Sequence, residues 1–151
     1  MHEFIREFEE WTDPATKQML NNLVERKQKF DRAKKWHVSI LWISFFTAFG
    51  FLYYLSKAVL EPYSYSFGAM FSVYVSDSMH LFITLFLAGL FGAAKVLHQI
   101  RVKKEKEYQD LRKEIIDRSK DLWKEDAWKK RHQVFDKMKS RFDINLYHGS
   151  K

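Results

Sequence analysis

The chain has 151 residues, with 26 Lys and Arg against 19 Asp and Glu, a net charge of +7 and no cysteine. The absence of cysteine excludes disulfide bonds, thiolate metal sites and cysteine nucleophiles. The mean hydropathy of −0.41 would by itself suggest a water-soluble protein. Charged and apolar residues are segregated along the chain, however, so each segment has to be interpreted separately.

Residues 1–35 are polar, and we predict a helical segment in the cytoplasm. The first eleven residues lack the basic and apolar regions of a signal peptide. They carry apolar residues at the spacing of a short amphipathic helix, namely Phe4, Ile5, Phe8 and Trp11. Asp13 and Pro14 have the character of an N-cap and a first helical residue. Because no glycine or proline follows before Trp36, we predict one continuous helix from Pro14 to about Lys57.

Two long apolar runs predict the fold class, an all-α protein with a two-span transmembrane helical hairpin and long cytoplasmic helical extensions. The first run, Trp36 to Ser56, has no charged residue, and the second contains only Lys95. A helix of this length reaches roughly 30 Å, the thickness of the hydrocarbon core of a bilayer. We place the spans at 36–57 and 78–100. The alternative, a soluble helical bundle with the runs as its core, requires a polar face that the first run lacks.

In the connection at 58–77, Glu61 and Pro62 end the first helix. Residues 63–76 alternate aromatic or aliphatic side chains with serine and contain Gly68, a pattern typical of extended chain. We predict an extracytoplasmic connection in the membrane interface, where tyrosine buries its ring and hydrates its hydroxyl. The other interpretation makes this segment the first part of a longer second helix.

Residues 101–151 form a second polar segment, predicted to be helical to about Phe142 with a frayed tail from Asn145. An apolar heptad seam is interrupted by Arg118, so a long regular coiled coil is not indicated. Packing of this helix against the N-terminal helix, or against a partner, fits the pattern better.

The distribution of lysine and arginine predicts the orientation. Seven of them lie in 17–37, seven lie in 95–115, and residues 57–80 contain only Lys57. Because basic residues stay on the cytoplasmic side, we expect a multi-pass protein with both termini in the cytoplasm.

Small residues predict a helix-packing face. The second run carries two overlapping pairs of small residues four apart: Ala88, Gly89, Gly92 and Ala93. Such a face lets another helix approach closely in lipid. Candidates for the matching surface on the first run are Ser44, Ala48 and Thr47. We predict packing within the hairpin, with dimerisation through the same face as the alternative.

Basic residues interleaved with aromatic ones flank both runs, and we predict that they contact anionic lipid headgroups. These residues are Arg26, Lys27, Lys29, Arg32, Lys34, Lys35, Arg101, Lys103 and Lys104. Each basic residue near such a surface contributes about 1 kcal/mol. The alternative is that they only set the orientation. The basic stretch at 128–132 is too short to indicate nucleic-acid binding, and none is expected.

No pattern indicates catalysis, and we expect neither an enzyme nor a cofactor. The six histidines are dispersed and form no HxxxH or HExxH pair, so no metal site is predicted. Phosphate-binding glycine loops and nucleophile motifs are also missing from the sequence.

The run LVERKQKFDRAKKWH leading directly into an apolar span, the two-span layout and the length resemble the YpbF family, small uncharacterised membrane proteins of Bacillus-type bacteria. The resemblance implies a location in the bacterial plasma membrane. It implies no activity, cofactor or functional residue.

Our leading functional hypothesis is a non-enzymatic adaptor or accessory subunit. Its cytoplasmic helices, at about 14–35 and 101–142, would pack together and bind another protein or a second copy. The helical sequence beyond the second span is far longer than anchoring requires. The alternative is an oligomeric channel or transport element lined by Ser44, Thr47 and Thr84, although no charge within the spans marks a path.

Overall fold

The computed structural model describes residues 12–147, apart from the side chains of Glu125 and Asp126, and its regular structure in this range is entirely helical. The all-α prediction is confirmed. The predicted amphipathic turn at 1–11 lies outside the described residues. In chain order the elements are α1 (Pro14–Leu55), a π-helical segment (Ser56–Leu60), α2 (Phe67–Ser76), α3 (Ser78–Asp117), α4 (Ser119–Leu122) and α5 (Glu125–Phe142).

The chain divides into two compact units. Within the described range the terminal unit contains residues 12–33 and 101–147, and the central unit is Lys34–Ile100. Both α1 and α3 contribute residues to each unit.

The start of α1 follows the predicted capping chemistry. The Asp13 carboxylate accepts hydrogen bonds from the N–H groups of Ala15 and Thr16, at 3.1 and 3.4 Å. Pro14 occupies the first helical position, where its missing N–H leaves no hydrogen bond unmade. The helix continues past the predicted end, because the π-helical segment extends it to Leu60, where the Glu61 N–H donates to the Ser56 carbonyl at 2.9 Å.

The terminal unit has its own hydrophobic core, built from α1, α3, α5 and the tail. The Phe30 ring of α1 stacks on Tyr108 of α3 with centroids 6.1 Å apart, and Trp123 meets Phe135 edge-on at 5.5 Å. The N-terminal and C-terminal helical segments therefore pack together, as predicted. The buried members are Leu20, Leu23, Val24, Phe30, Tyr108, Leu111, Ile115, Trp123, Val134, Phe135, Met138, Ile144 and Leu146.

The segment from residue 101 is helical to Phe142, as predicted, but it is not one continuous helix. Helix α3 ends at Asp117, a four-residue α4 follows, and α5 begins at Glu125. Trp123 has extended backbone angles (φ −124°, ψ 99°) and a fully buried side chain. The chain leaves the helical path where the indole enters the core, and this burial stabilises a break that no glycine or proline marks.

The prediction of a frayed tail is wrong for residues 145–147. Asp143 takes a left-handed conformation (φ 55°) that ends α5, and the N–H of Ile144 reaches back to the Met138 carbonyl. This Schellman-type ending directs Ile144 and Leu146 into the core. The Nε–H of the buried Arg112 then donates to the Asn145 carbonyl at 2.6 Å. Residues 148–151 lie outside the described range.

In the central unit, α1 and α3 run antiparallel. The rings of His37 and His98 lie 5.2 Å apart at one end, and those of Tyr54 and His80 lie 5.6 Å apart toward the other. Two helical stretches, Pro14–Leu60 and Ser78–Asp117, are long and apolar enough to cross a membrane. Only 6% and 11% of the most apolar window of each is buried.

Residues 67–76 form a separate helix, so both interpretations of the connection need correction. The alternation of apolar residues and serine predicted extended chain, and the alternative predicted a continuation of α3. Instead the Ser66 hydroxyl caps α2 by accepting from the Ala69 N–H, and Asp77 is extended (φ −94°, ψ 110°) and separates α2 from α3. Met70 and Tyr74, four residues apart on one face of α2, line a common cavity with Val59 of the π-helical segment.

Candidate functional site

The small-residue face of α3 lies at the surface of the central unit. Ala88, Gly89, Gly92 and Ala93 are exposed. Apart from the adjoining residues and the backbone of the helix itself, no atom lies within 4 Å of the position that a Cβ would take on Gly89 or Gly92. Ser44 is buried and Ala48 half-buried, so the structure does not bring the four small residues of α3 against them.

A different face of α3 packs within the central unit. Its buried and half-buried residues follow a seven-residue repeat: Ile83, Leu87, Leu90, Ala94 and Leu97. The matching residues on α1 repeat in the same way: His37, Ile40, Ser44, Thr47 and Phe51. Spacings of three and four residues place side chains on one stripe, as in knobs-into-holes packing. This seam was not predicted, because the neighbouring face carries the small residues that also favour close helix packing.

Four of the nine predicted lipid-contact residues are at least partly engaged within the terminal unit. An Arg26 guanidinium N–H donates to the Glu107 carbonyl at 2.8 Å, and Lys104 donates to the Glu107 carboxylate at 2.9 Å. The hydrogen bond from Lys104 lowers the pKa of Glu107. Lys27 is half-buried, pairs with Asp31 at 3.0 Å and lies over the Phe30 and Tyr108 rings, while Arg101 is also half-buried.

The other five predicted lipid-contact residues present their side chains to the surroundings. They are Lys29, Arg32, Lys34, Lys35 and Lys103. Any contact with lipid phosphates therefore depends mainly on these five.

Helix α5 combines an apolar inner face with exposed lysines on other parts of its surface. Val134, Phe135 and Met138 are buried, whereas Lys129, Lys130 and Lys139 are exposed. The Arg131 guanidinium lies 3.3 Å from the centre of the Trp128 ring, a close cation–π contact.

The tail is held against α5 by Tyr147. Its hydroxyl donates to the Asp136 carboxylate at 2.7 Å, and this hydrogen bond raises the pKa of Tyr147. The sequence analysis missed this contact. The alternation of Ile144 and Leu146 with polar residues was the available signal, since it indicates a segment buried on one side.

Hydroxyl groups proposed for a channel lining already have partners within the central unit. The Ser44 hydroxyl donates to the Ile40 carbonyl at 2.7 Å, and the Thr84 hydroxyl donates to the His80 carbonyl at 2.8 Å. Thr47 is half-buried. Within residues 12–147, no group of three or more His, Asp or Glu side chains is placed to hold a metal ion.

Comparison with known proteins identifies the family. Residues 19–149 match the family described as "Protein of unknown function (DUF2663)". The chain is 33% identical over 156 aligned positions to "Uncharacterized protein YpbF" of Bacillus subtilis (strain 168), and the alignment covers the whole of both chains. No solved structure matches the chain significantly. The resemblance drawn from the sequence is confirmed, and the chain belongs to the YpbF-like DUF2663 family.

Proposed function

We propose that this protein is a two-span integral membrane protein of the bacterial plasma membrane whose terminal unit acts as a non-enzymatic adaptor or accessory subunit. The observation that carries the membrane part is the exposure of large apolar side chains along both helices of the central unit. Phe46, Phe49, Phe82 and Leu85 are among them. Soluble monomers rarely expose apolar patches of this extent, whereas in hydrocarbon the same side chains are favourably solvated.

The charge distribution supports an orientation with both termini in the cytoplasm. The segments next to the apolar stretches on the terminal side are rich in lysine and arginine, whereas residues 57–80 contain only Lys57. Basic residues that flank membrane spans are retained in the cytoplasm, which gives this arrangement of the termini. It places Ser64, in the turn after the π-helical segment, outside the cell.

Single cysteines test this orientation, because the natural chain contains none. Ser64→Cys and Ser140→Cys both replace exposed residues. In intact protoplasts a membrane-impermeant maleimide is expected to label Cys at position 64 and to label position 140 only after permeabilisation. The opposite labelling would reverse the orientation, and equal labelling of both positions in intact cells would contradict the membrane-spanning arrangement.

The adaptor part of the proposal rests on the terminal unit. Its core draws on α1, α3, α5 and the tail, which is far more structure than membrane anchoring requires. A folded unit held at a membrane surface, with exposed lysines on α5, fits a docking role toward an acidic protein surface. The exposed basic residues nearer the spans, including Lys29, Arg32 and Lys103, fit anionic lipid instead.

Affinity purification in mild detergent, with mass spectrometry of co-purifying protein and lipid, tests the proposed protein contact and the proposed lipid contact together. The variant Lys29→Gln/Arg32→Gln/Lys103→Gln is expected to lose bound anionic lipid and keep its protein partner, since each charge contributes about 1 kcal/mol to lipid attraction. The matched variant Lys129→Glu/Lys130→Glu/Lys139→Glu is expected to lose the protein and keep the lipid.

The outcomes of this purification separate the alternatives. A partner with the mass of the chain itself would identify a homo-oligomer. Loss of both contacts in both variants would contradict separate surfaces, and recovery of no protein after crosslinking would contradict the adaptor role. We do not propose the channel alternative, because no described feature favours it.

A further inference from the structure

A buried histidine lies where α2 meets α3 in the central unit. His80 is only 2% exposed. Its Nδ1 lies 3.2 Å from the Tyr74 carbonyl oxygen, and its Nε2 lies 3.7 Å from a carboxylate oxygen of Asp77. The second distance is too long for a hydrogen bond, and Nε2 has no hydrogen-bond partner.

The chemistry of the two contacts fixes the proton positions. A carbonyl oxygen only accepts, so the Nδ1 of His80 must carry a proton to bond Tyr74. In the neutral ring Nε2 is then an acceptor, and it faces the carboxylate of Asp77, which is also an acceptor. Only the doubly protonated ring offers a donor to both oxygens.

Both oxygens belong to helix ends. The Tyr74 carbonyl is in the last turn of α2, where backbone carbonyls lack helical partners. Asp77 caps the start of α3, since its other carboxylate oxygen accepts from the Met79 N–H at 2.9 Å. A cation at His80 would therefore connect the end of one helix to the cap of the next.

Aromatic rings complete the surroundings of His80. Tyr74 stacks on the imidazole at 5.6 Å with an interplanar angle of 7°. Tyr54 and Phe51 of α1 contact it at 5.6 and 6.5 Å. Aromatic rings attract cations. The titratable groups that face His80 are thus Tyr54 from α1, Tyr74 from α2, and Asp77 from the residue that joins α2 to α3.

We infer that His80 is a proton-operated latch that fastens α2 to α3. Binding of a proton turns Nε2 into a donor to Asp77, and the N···O distance closes to about 2.7–2.9 Å, as in other charge-assisted hydrogen bonds. Nδ1 keeps its bond to Tyr74. Loss of the proton leaves two acceptors facing each other and loosens α2. The latch itself is independent of membrane orientation, and only the compartment whose acidity it senses rests on the function proposed above.

Distance measurements between two spin labels test the latch in the full-length protein. Labels are attached to Ser72→Cys on α2 and Tyr53→Cys on α1, both exposed positions. Spectra in detergent micelles are compared at about pH 8 and about pH 5, which bracket the range in which histidine changes charge. The distribution of distances between the two labels is expected to narrow clearly at about pH 5.

Three variants make the result specific. His80→Gln removes the titrating group, and Asp77→Asn removes the carboxylate while keeping an effective N-cap, so both are expected to abolish the narrowing. His98→Gln changes an exposed histidine of the same unit and is expected to preserve it. The circular dichroism spectrum checks that each variant remains helical.

Several results would overturn the latch. They are narrowing that persists in His80→Gln or Asp77→Asn, narrowing that disappears in His98→Gln, and the absence of a pH effect in the otherwise unmodified helical protein. A reversed orientation in the cysteine-labelling experiment would leave the latch intact, because the micelle measurement does not depend on orientation.

Discussion

The variant Leu85→Arg is expected to be lost from the membrane fraction. Leu85 lies near the middle of the second apolar stretch, and its side chain is 73% exposed. An arginine near the centre of a span costs about 2.5–3.5 kcal/mol on insertion scales. The same substitution at an exposed position in water usually changes stability by about 0.5 kcal/mol or less. The measurement is the share of protein that stays in the membrane pellet after alkaline extraction.

Val102→Arg provides the matched control. Val102 is also on α3 and is 50% exposed, but it lies in the terminal unit among lysines. We expect this variant to remain in the pellet like the unmodified protein. Equal behaviour of the two variants would contradict the proposal that lipid surrounds the central unit.

The variant Trp123→Ala is expected to unfold the terminal unit or greatly lower its melting temperature. The indole is fully buried and contacts Phe135 within the core. Truncation of a buried tryptophan to alanine costs about 3–5 kcal/mol, a large part of the 5–15 kcal/mol that ordinarily stabilises a domain. Thermal unfolding of the detergent-solubilised protein, followed by near-ultraviolet circular dichroism, measures the loss.

Trp128→Ala is the control for the loss of an indole. Trp128 is half-buried, and its ring is covered by Arg131, a cation–π contact that contributes about 0.5–1 kcal/mol at an exposed site. A smaller shift of the melting temperature is therefore expected. If both variants unfold alike, the core of the terminal unit is not centred on Trp123.

Local signals in the sequence were sufficient where one interaction determines the structure. The start of α1 was predictable because a carboxylate at position 13 and a proline at position 14 serve the first N–H groups of a helix. The long helices were predictable because apolar and charged stretches at helical spacing continue through them without an internal proline. The end of the first helix was predictable to within a few residues from Glu61 and Pro62.

The remaining features depend on contacts between residues far apart in the chain. The break before α5 exists because Trp123 enters a core shared with α1, and no residue next to the break indicates this in the sequence. The seam residues and the small residues of α3 lie on neighbouring faces of the same part of the helix. Which of the two faces is buried depends on how α3 packs against α1. The His80 site combines Phe51, Tyr74 and Asp77, whose proximity requires the turn and α2 to be in place.

One residue, Asp77, joins α2 to α3. Because Asp77 has a helix on each side, α2 reorients relative to α3 mainly by rotation about the φ and ψ angles of this residue. Because α2 is ten residues long, a small rotation at Asp77 displaces the far end of the helix, at Phe67, by several ångströms.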